Sequence, residues 1–170
     1  MTFQSVVNVE LNVGVPGELD LDEPSRAEPV TLAVPGTFGF FFTKANNTGL
    51  VSPGGTLTPG SVVYGGIAVF PKTAPLFGAS AFSTLSPNLN IPANVQVAML
   101  TFGSCKVAIP NAWEIGDFVQ YNLTTGALAT FSPSGAVTEG FAQIPGAVMT
   151  RFGNPSSTGG VGYARFNAPN

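Results

Sequence analysis

Hydrophobic and polar positions alternate with a period of two along much of this chain. In "VNVELNV", Val7, Val9, Leu11 and Val13 face one way, and Asn8, Glu10 and Asn12 face the other. In "DFVQYNL", Val119, Tyr121 and Leu123 share a face. Such alternation fits half-buried strands, because successive side chains of a strand point to opposite faces. Further strands are predicted over Val30–Val34, Thr37–Thr43, Ser61–Phe70, Asn94–Thr101, Ser104–Ile109, Ala127–Phe131, Ala136–Ile144, Ala147–Phe152 and Val161–Phe166. The run "FGFFF" is almost continuously apolar and reads as a segment buried on both faces. No helical period persists beyond about one turn, with "PNAWEIGD" as the best place for such a turn.

Turn chemistry separates these runs. Pro-Gly pairs stand at Pro16-Gly17, Pro35-Gly36, Pro53-Gly54, Pro59-Gly60 and Pro145-Gly146. "NNTG", "LTTG", "SPSG" and "GNPSSTGG" add further breakers. "SPGGTLTPGS" and "FGNPSSTGG" read as exposed loops. About ten short antiparallel strands at this spacing predict an all-β, single compact domain, jelly-roll-like or a small barrel.

Charge changes the picture at one end. Charged residues make up 9% of the 170 residues, against roughly 25% in ordinary globular proteins. Only nine residues are acidic, and six of them lie between Glu10 and Glu28. Residues 1–28 carry a net charge of −5, and the remainder carries +2. The division expected is therefore an acidic, extended N-terminal arm over 1–29 and a β-rich body over 30–170. Pro16, Pro24 and Pro29 oppose a helix in the arm. Glu18, Leu19, Asp20, Leu21, Asp22, Glu23 and Arg26 are the expected partner-contact residues. Their charge would steer the arm onto a basic surface, and Leu19 and Leu21, alternating with acids, could add a strand to a neighbour. A body so poor in surface charge points to burial in an assembly.

Composition also narrows the chemistry. There is no histidine, so the usual triads and most catalytic zinc sites lack a member. The single cysteine, Cys105, lies in a strand-like run and reads as a buried apolar residue. Glu114 and Asp117, three apart and next to Trp113, raise the possibility of a sugar-cleaving carboxylate pair. The plainer reading is a core tryptophan, an exposed glutamate and a turn aspartate, and it is preferred. Asp20, Asp22 and Glu23 lack the glycine and closing glutamate of a calcium loop. No catalytic residue, metal or cofactor is expected. Six scattered basic residues argue against nucleic acid as a partner. No stretch of about 20 residues is apolar enough for a spanning helix, so no membrane is expected, and "MTFQSVVNVE" has no signal-peptide pattern.

The order of four segments carries a resemblance: "VPGELDLDEPSRAEP", then "IPANVQVAMLTFGSCKVAIP", then "GDFVQYNLTTGALATF", then "EGFAQI" before a final strand. In this order the chain resembles the cement, or decoration, proteins of tailed-bacteriophage capsids. The resemblance implies a non-enzymatic β protein, made in the host cytoplasm and placed on the outer surface of the virion capsid. It further implies binding to the major capsid protein, bridging of neighbouring subunits, stabilisation of the shell, and self-association as a homo-dimer or homo-trimer. A tail, baseplate or fibre protein is the competing reading; a carbohydrate-binding β protein is a weaker one.

Overall fold

The computed structural model describes residues 14–20, 22–71, 90–154 and 159–167. The predicted strand Val7–Val13 lies outside them, as do Leu21 and residues 72–89. Eleven strands are described, in chain order β1 (Arg26–Thr31), β2 (Gly36–Thr37), β3 (Phe41–Ala45), β4 (Val51–Pro53), β5 (Val62–Ala68), β6 (Asn90–Ile91), β7 (Gln96–Ile109), β8 (Phe118–Asn122), β9 (Leu128–Phe131), β10 (Phe141–Thr150) and β11 (Gly160–Asn167). None of the described residues is helical, so the fold is all-β as the alternation indicates.

A nine-stranded antiparallel sheet runs in the order β4-β3-β5-β7-β11-β10-β8-β9, with β1 joining β7 off this path. Strands β2 and β6 form a separate two-stranded ribbon. The sheet is organised by β7, whose 14 residues serve two neighbourhoods. Its first half lies between β1 and β5, and its second half pairs with β11 over eight residues. Two separate strands are expected here, broken near Phe102-Gly103; one continuous strand is found. Gly103 sits at φ +119°, where a Cβ would stand 2.8 Å from the Ser25 Cβ and 2.9 Å from the Pro24 carbonyl. The glycine lets the N-terminal segment cross the strand closely rather than ending it.

The same holds in β10. Pro145-Gly146 reads as a break, but the chain continues through it, with the register to β8 shifting between Gln143 and Val148. A proline without an N–H is tolerated at such a bulge, which bends the strand instead of interrupting it.

Two cores result. One lies in the half-ring β1-β7-β5-β3-β4 and contains Leu32, Phe42, Val51, Ile91 and Met99. The other lies under the second half of β7 with β8–β11 and contains Phe41, Trp113, Tyr121, Ile144, Met149 and Phe166. The adjacent residues Phe41 and Phe42 are fully buried and serve different cores, which is why "FGFFF" shows no alternation. Among the described residues, the half-ring meets itself through one isolated parallel bridge, Leu32 to Val51, and not through a ladder. The sheet is therefore curled but not a closed barrel. Its two ends touch through turns: the Gly55 N–H donates to the Leu123 carbonyl at 2.7 Å, and the Phe41 N–H donates to that of Gly126 at 2.9 Å.

Candidate functional site

The acidic segment is laid along the second half of β7, on the edge opposite β11. The Gly17 N–H donates to the Lys106 carbonyl at 2.7 Å, the Lys106 N–H to the Glu18 carbonyl at 2.9 Å, and the Asp20 N–H to the Ser104 carbonyl at 2.9 Å. Leu19 sits opposite Cys105 in an antiparallel bridge and packs on the second core. Residues 17–20 thus extend the sheet as an added strand, and the strand they join is their own β7. β1 starts at Arg26, so the boundary placed at residue 29 falls inside a paired strand.

Alternation then sets where each acid goes. The Lys106 ammonium donates to Glu18 Oε2 at 2.9 Å. Asp20, almost wholly buried, meets the Arg151 guanidinium at 2.8 Å. Ser104 Oγ donates to Glu23 Oε2 at 2.5 Å, and Arg26 Nε donates to Thr101 Oγ1 at 3.2 Å. The Tyr163 ring lies near both cations, 5.7 Å from Lys106 Nζ and 5.2 Å from the Arg151 guanidinium carbon. This is cation–π range. Burial would lower the Lys106 pKa, but the hydrogen bond and charge of Glu18, with Tyr163 behind them, outweigh it and raise the value. Asp22 is different: its side chain is 83% exposed and its carboxylate stands 4.0 Å from Arg151.

Arg151 also begins a second feature. Arg151 and Phe152 are consecutive non-glycine residues in the left-handed region, at φ 49° and 43°. Each such residue costs on the order of 1–3 kcal/mol and persists only where its surroundings enforce it. The enforcement is visible. Trp113, buried in the second core, donates from Nε1 to the Phe152 carbonyl at 3.0 Å. Trp113 and Asn154 exchange backbone hydrogen bonds at 2.9 and 2.8 Å. The next turn runs beside this segment. Its Gly116 N–H donates to the Met149 carbonyl, and Asp117 Oδ2 accepts from the Glu114 N–H, both at 2.9 Å. The two side chains so presented, Ile115 and Phe152, are 67% and 70% exposed; every other exposed large apolar side chain among the described residues is at 43% or less.

An open groove of about 760 Å³ lies beside this tip, lined in part by Asn111, Glu114, Asp117, Thr130 and Ser132. Asn111 covers the outer edge of β9, its amide bonding both backbone groups of Thr130. The Trp113 ring is turned into the core and cannot offer a stacking face for a sugar. Cys105 is fully buried, and burial pushes its thiol pKa up, which leaves it protonated and inert. Among the described residues, no three histidine, cysteine or acidic side chains gather where a metal could be held.

A family model described as "Structural cement protein (E217 gp24/Pam3 gp6)" matches residues 3–167. The chain belongs to the structural cement protein family. Its role is structural, in the capsid of a bacteriophage virion, in association with the capsid shell. A chain from the solved capsid of Myoviridae phage XM1 shares the fold, with a TM-score of 0.64 at 18% identity, covering 98% of each chain. No curated protein matches.

Of the expected contact residues, Glu18, Leu19, Asp20, Glu23 and Arg26 are brought onto the chain's own body, and Asp22 is left exposed. Sequence reasoning missed their partners Lys106, Arg151 and Tyr163, and it missed Ile115 and Phe152. The available signal for the last two was an isolated large apolar residue inside each of two polar turns, "WEIGD" and "RFGNP".

Proposed function

We propose that this cement protein binds the outer surface of the capsid shell, bridges neighbouring major capsid proteins and stabilises the assembled shell. The observation that carries this reading is the family match over nearly the whole chain. The architecture supports it: a curled sheet with two packed cores makes a stiff body, and stiffness suits a contact that must resist displacement of its neighbours. The protein acts by binding and not by catalysis. Self-association as a dimer or trimer would let one assembly touch several capsid subunits, with the gain in avidity that multivalent contact brings. Neither nucleic acid nor membrane is a partner in this account.

The acidic segment takes a divided role. Glu18 and Asp20 hold it to the body, and the exposed Asp22 is the acid left to meet a basic neighbour. Co-sedimentation tests the reading. The chain should pellet with expanded shells of its own phage and stay in solution with free capsid subunits, because the site spans more than one subunit. Absence from the shell pellet would sink it.

A further inference from the structure

We infer that Ile115 and Phe152 form an apolar anchor that inserts into a pocket of the capsid shell, and that the seated acidic segment holds this anchor in place. The inference deepens the cement reading above and rests on it. Its first support is exposure. Single exposed apolar residues are ordinary on protein surfaces. Here two large ones, each about two-thirds exposed, stand on adjoining segments joined by the Trp113–Asn154 and Gly116–Met149 hydrogen bonds. Large side chains held rigidly on a well-packed base are the type of residue that dominates binding energy in interfaces.

The second support is strain. Phe152 is kept in an unfavourable backbone conformation by a buried tryptophan whose one polar atom is used for that purpose. Core packing does not call for this, since the Phe152 ring points to solvent. Strained geometry that serves no packing role is expected where a surface has a task.

The third support identifies the occupant by charge. Glu114 is exposed beside Ile115 and has no ion-pair partner among the described residues. Asp22 is exposed and stands 4.0 Å from Arg151, the residue before Phe152. Two exposed carboxylates thus stand near the anchor, against one guanidinium, Arg151, that the buried Asp20 already holds. Two copies meeting tip to tip would set these carboxylates against each other, which is unfavourable. The complementary surface is an apolar pocket with a basic rim on a capsid subunit.

The segment's part follows from sequence adjacency. Arg151, clamped by Asp20 and stacked on Tyr163, is the residue before Phe152. Fixing its side chain fixes the left-handed pair. Asp20 is thus a positioning residue and makes no shell contact itself.

The test uses the full chain with expanded shells of its phage, comparing wild type with Phe152→Ala, Ile115→Ala and the double variant. Both sites are exposed, so the thermal midpoint should hold. A control, Leu50→Ala, removes an exposed apolar side chain elsewhere. The expected result is a loss of shell affinity of about tenfold or more for the double variant, a smaller loss for Glu114→Lys that shrinks as salt rises, and none for the control. Unchanged affinity of the double variant on shells that bind wild type would overturn the anchor and leave the cement reading standing. Failure of wild type to bind would overturn both. Loss of self-association by the double variant, with shell affinity intact, would also overturn the proposal and make the tip an interface between copies.

Discussion

Two neighbouring surfaces, joined at the peptide bond between Arg151 and Phe152, are built on opposite principles. On one side the acidic segment lies on β7, and its buried or half-buried charges find partners inside the chain: Glu18 with Lys106, Asp20 with Arg151, Glu23 with Ser104. On the other side Ile115 projects from a tightly bonded turn and Phe152 from a strained segment, and both are about two-thirds exposed. The buried charges are satisfied within the chain, and the exposed Asp22 is left to meet a partner. The apolar surface has most of its burial still to gain, at about 25 cal/mol per Å² of apolar surface removed from water. A concentration of charge in a sequence marks a place of interaction, but the interaction can be with the chain itself.

Trp113 serves both the core and the tip. Trp113→Ala should lower stability by about 3–5 kcal/mol, the usual cost of emptying a large aromatic site, read as a lower denaturant midpoint. A change below about 1 kcal/mol would mean that the residue is not the base of the tip.

Asp20→Ala comes next. It leaves Arg151 without its closest carboxylate and removes a largely buried acceptor, and the expected loss is about 2 kcal/mol. Hydrogen exchange at the amides of residue 20 and Lys106 should accelerate in this variant while β10 and β11 stay protected. Uniform exchange across the sheet would show that the segment is not a separate unit.

Glu18→Gln should cost less, about 1 kcal/mol, because the pair it breaks is near the surface. The pair also has a signature in pH. Lys106 has its pKa raised in the folded state by Glu18. The stability from this pair is full below the unfolded lysine value, about 10.4, and is lost as pH rises through the higher folded value. Wild type should thus show an extra loss of stability above the ordinary lysine range, and Glu18→Gln should lack it. Identical alkaline profiles would contradict the pairing.

The smallest stability effect is expected at Phe152→Ala, within about 0.5 kcal/mol, as for surface substitutions away from packed features. A large loss there would mean that the exposed ring supports the fold.

How much of this was legible in the sequence differs between the same two surfaces. Most strands were, since alternation and Pro-Gly punctuation report local geometry directly. Gly103 and Pro145-Gly146 misled, because a glycine or proline reads as a break whether it ends a strand or bends one. The extended path of the acidic segment was legible from its prolines. Its seat was not, since Lys106 and Arg151 lie far along the chain and only the fold of β7, β10 and β11 brings them to it. The tip was least legible. No local pattern in "MTRFGNP" announces two left-handed non-glycine residues, and the hydrogen bond that enforces them comes from Trp113 in a distant turn.

The most direct test of the central claim is a cryo-electron microscopy map of expanded shells decorated with this protein. The account predicts density for the turn at Ile115 and the segment at Phe152 buried against a major capsid protein, with residues 17–20 still paired to their own β7. A decorated shell in which that tip faces solvent, while residues 17–20 have left β7 for a neighbouring subunit, would contradict it.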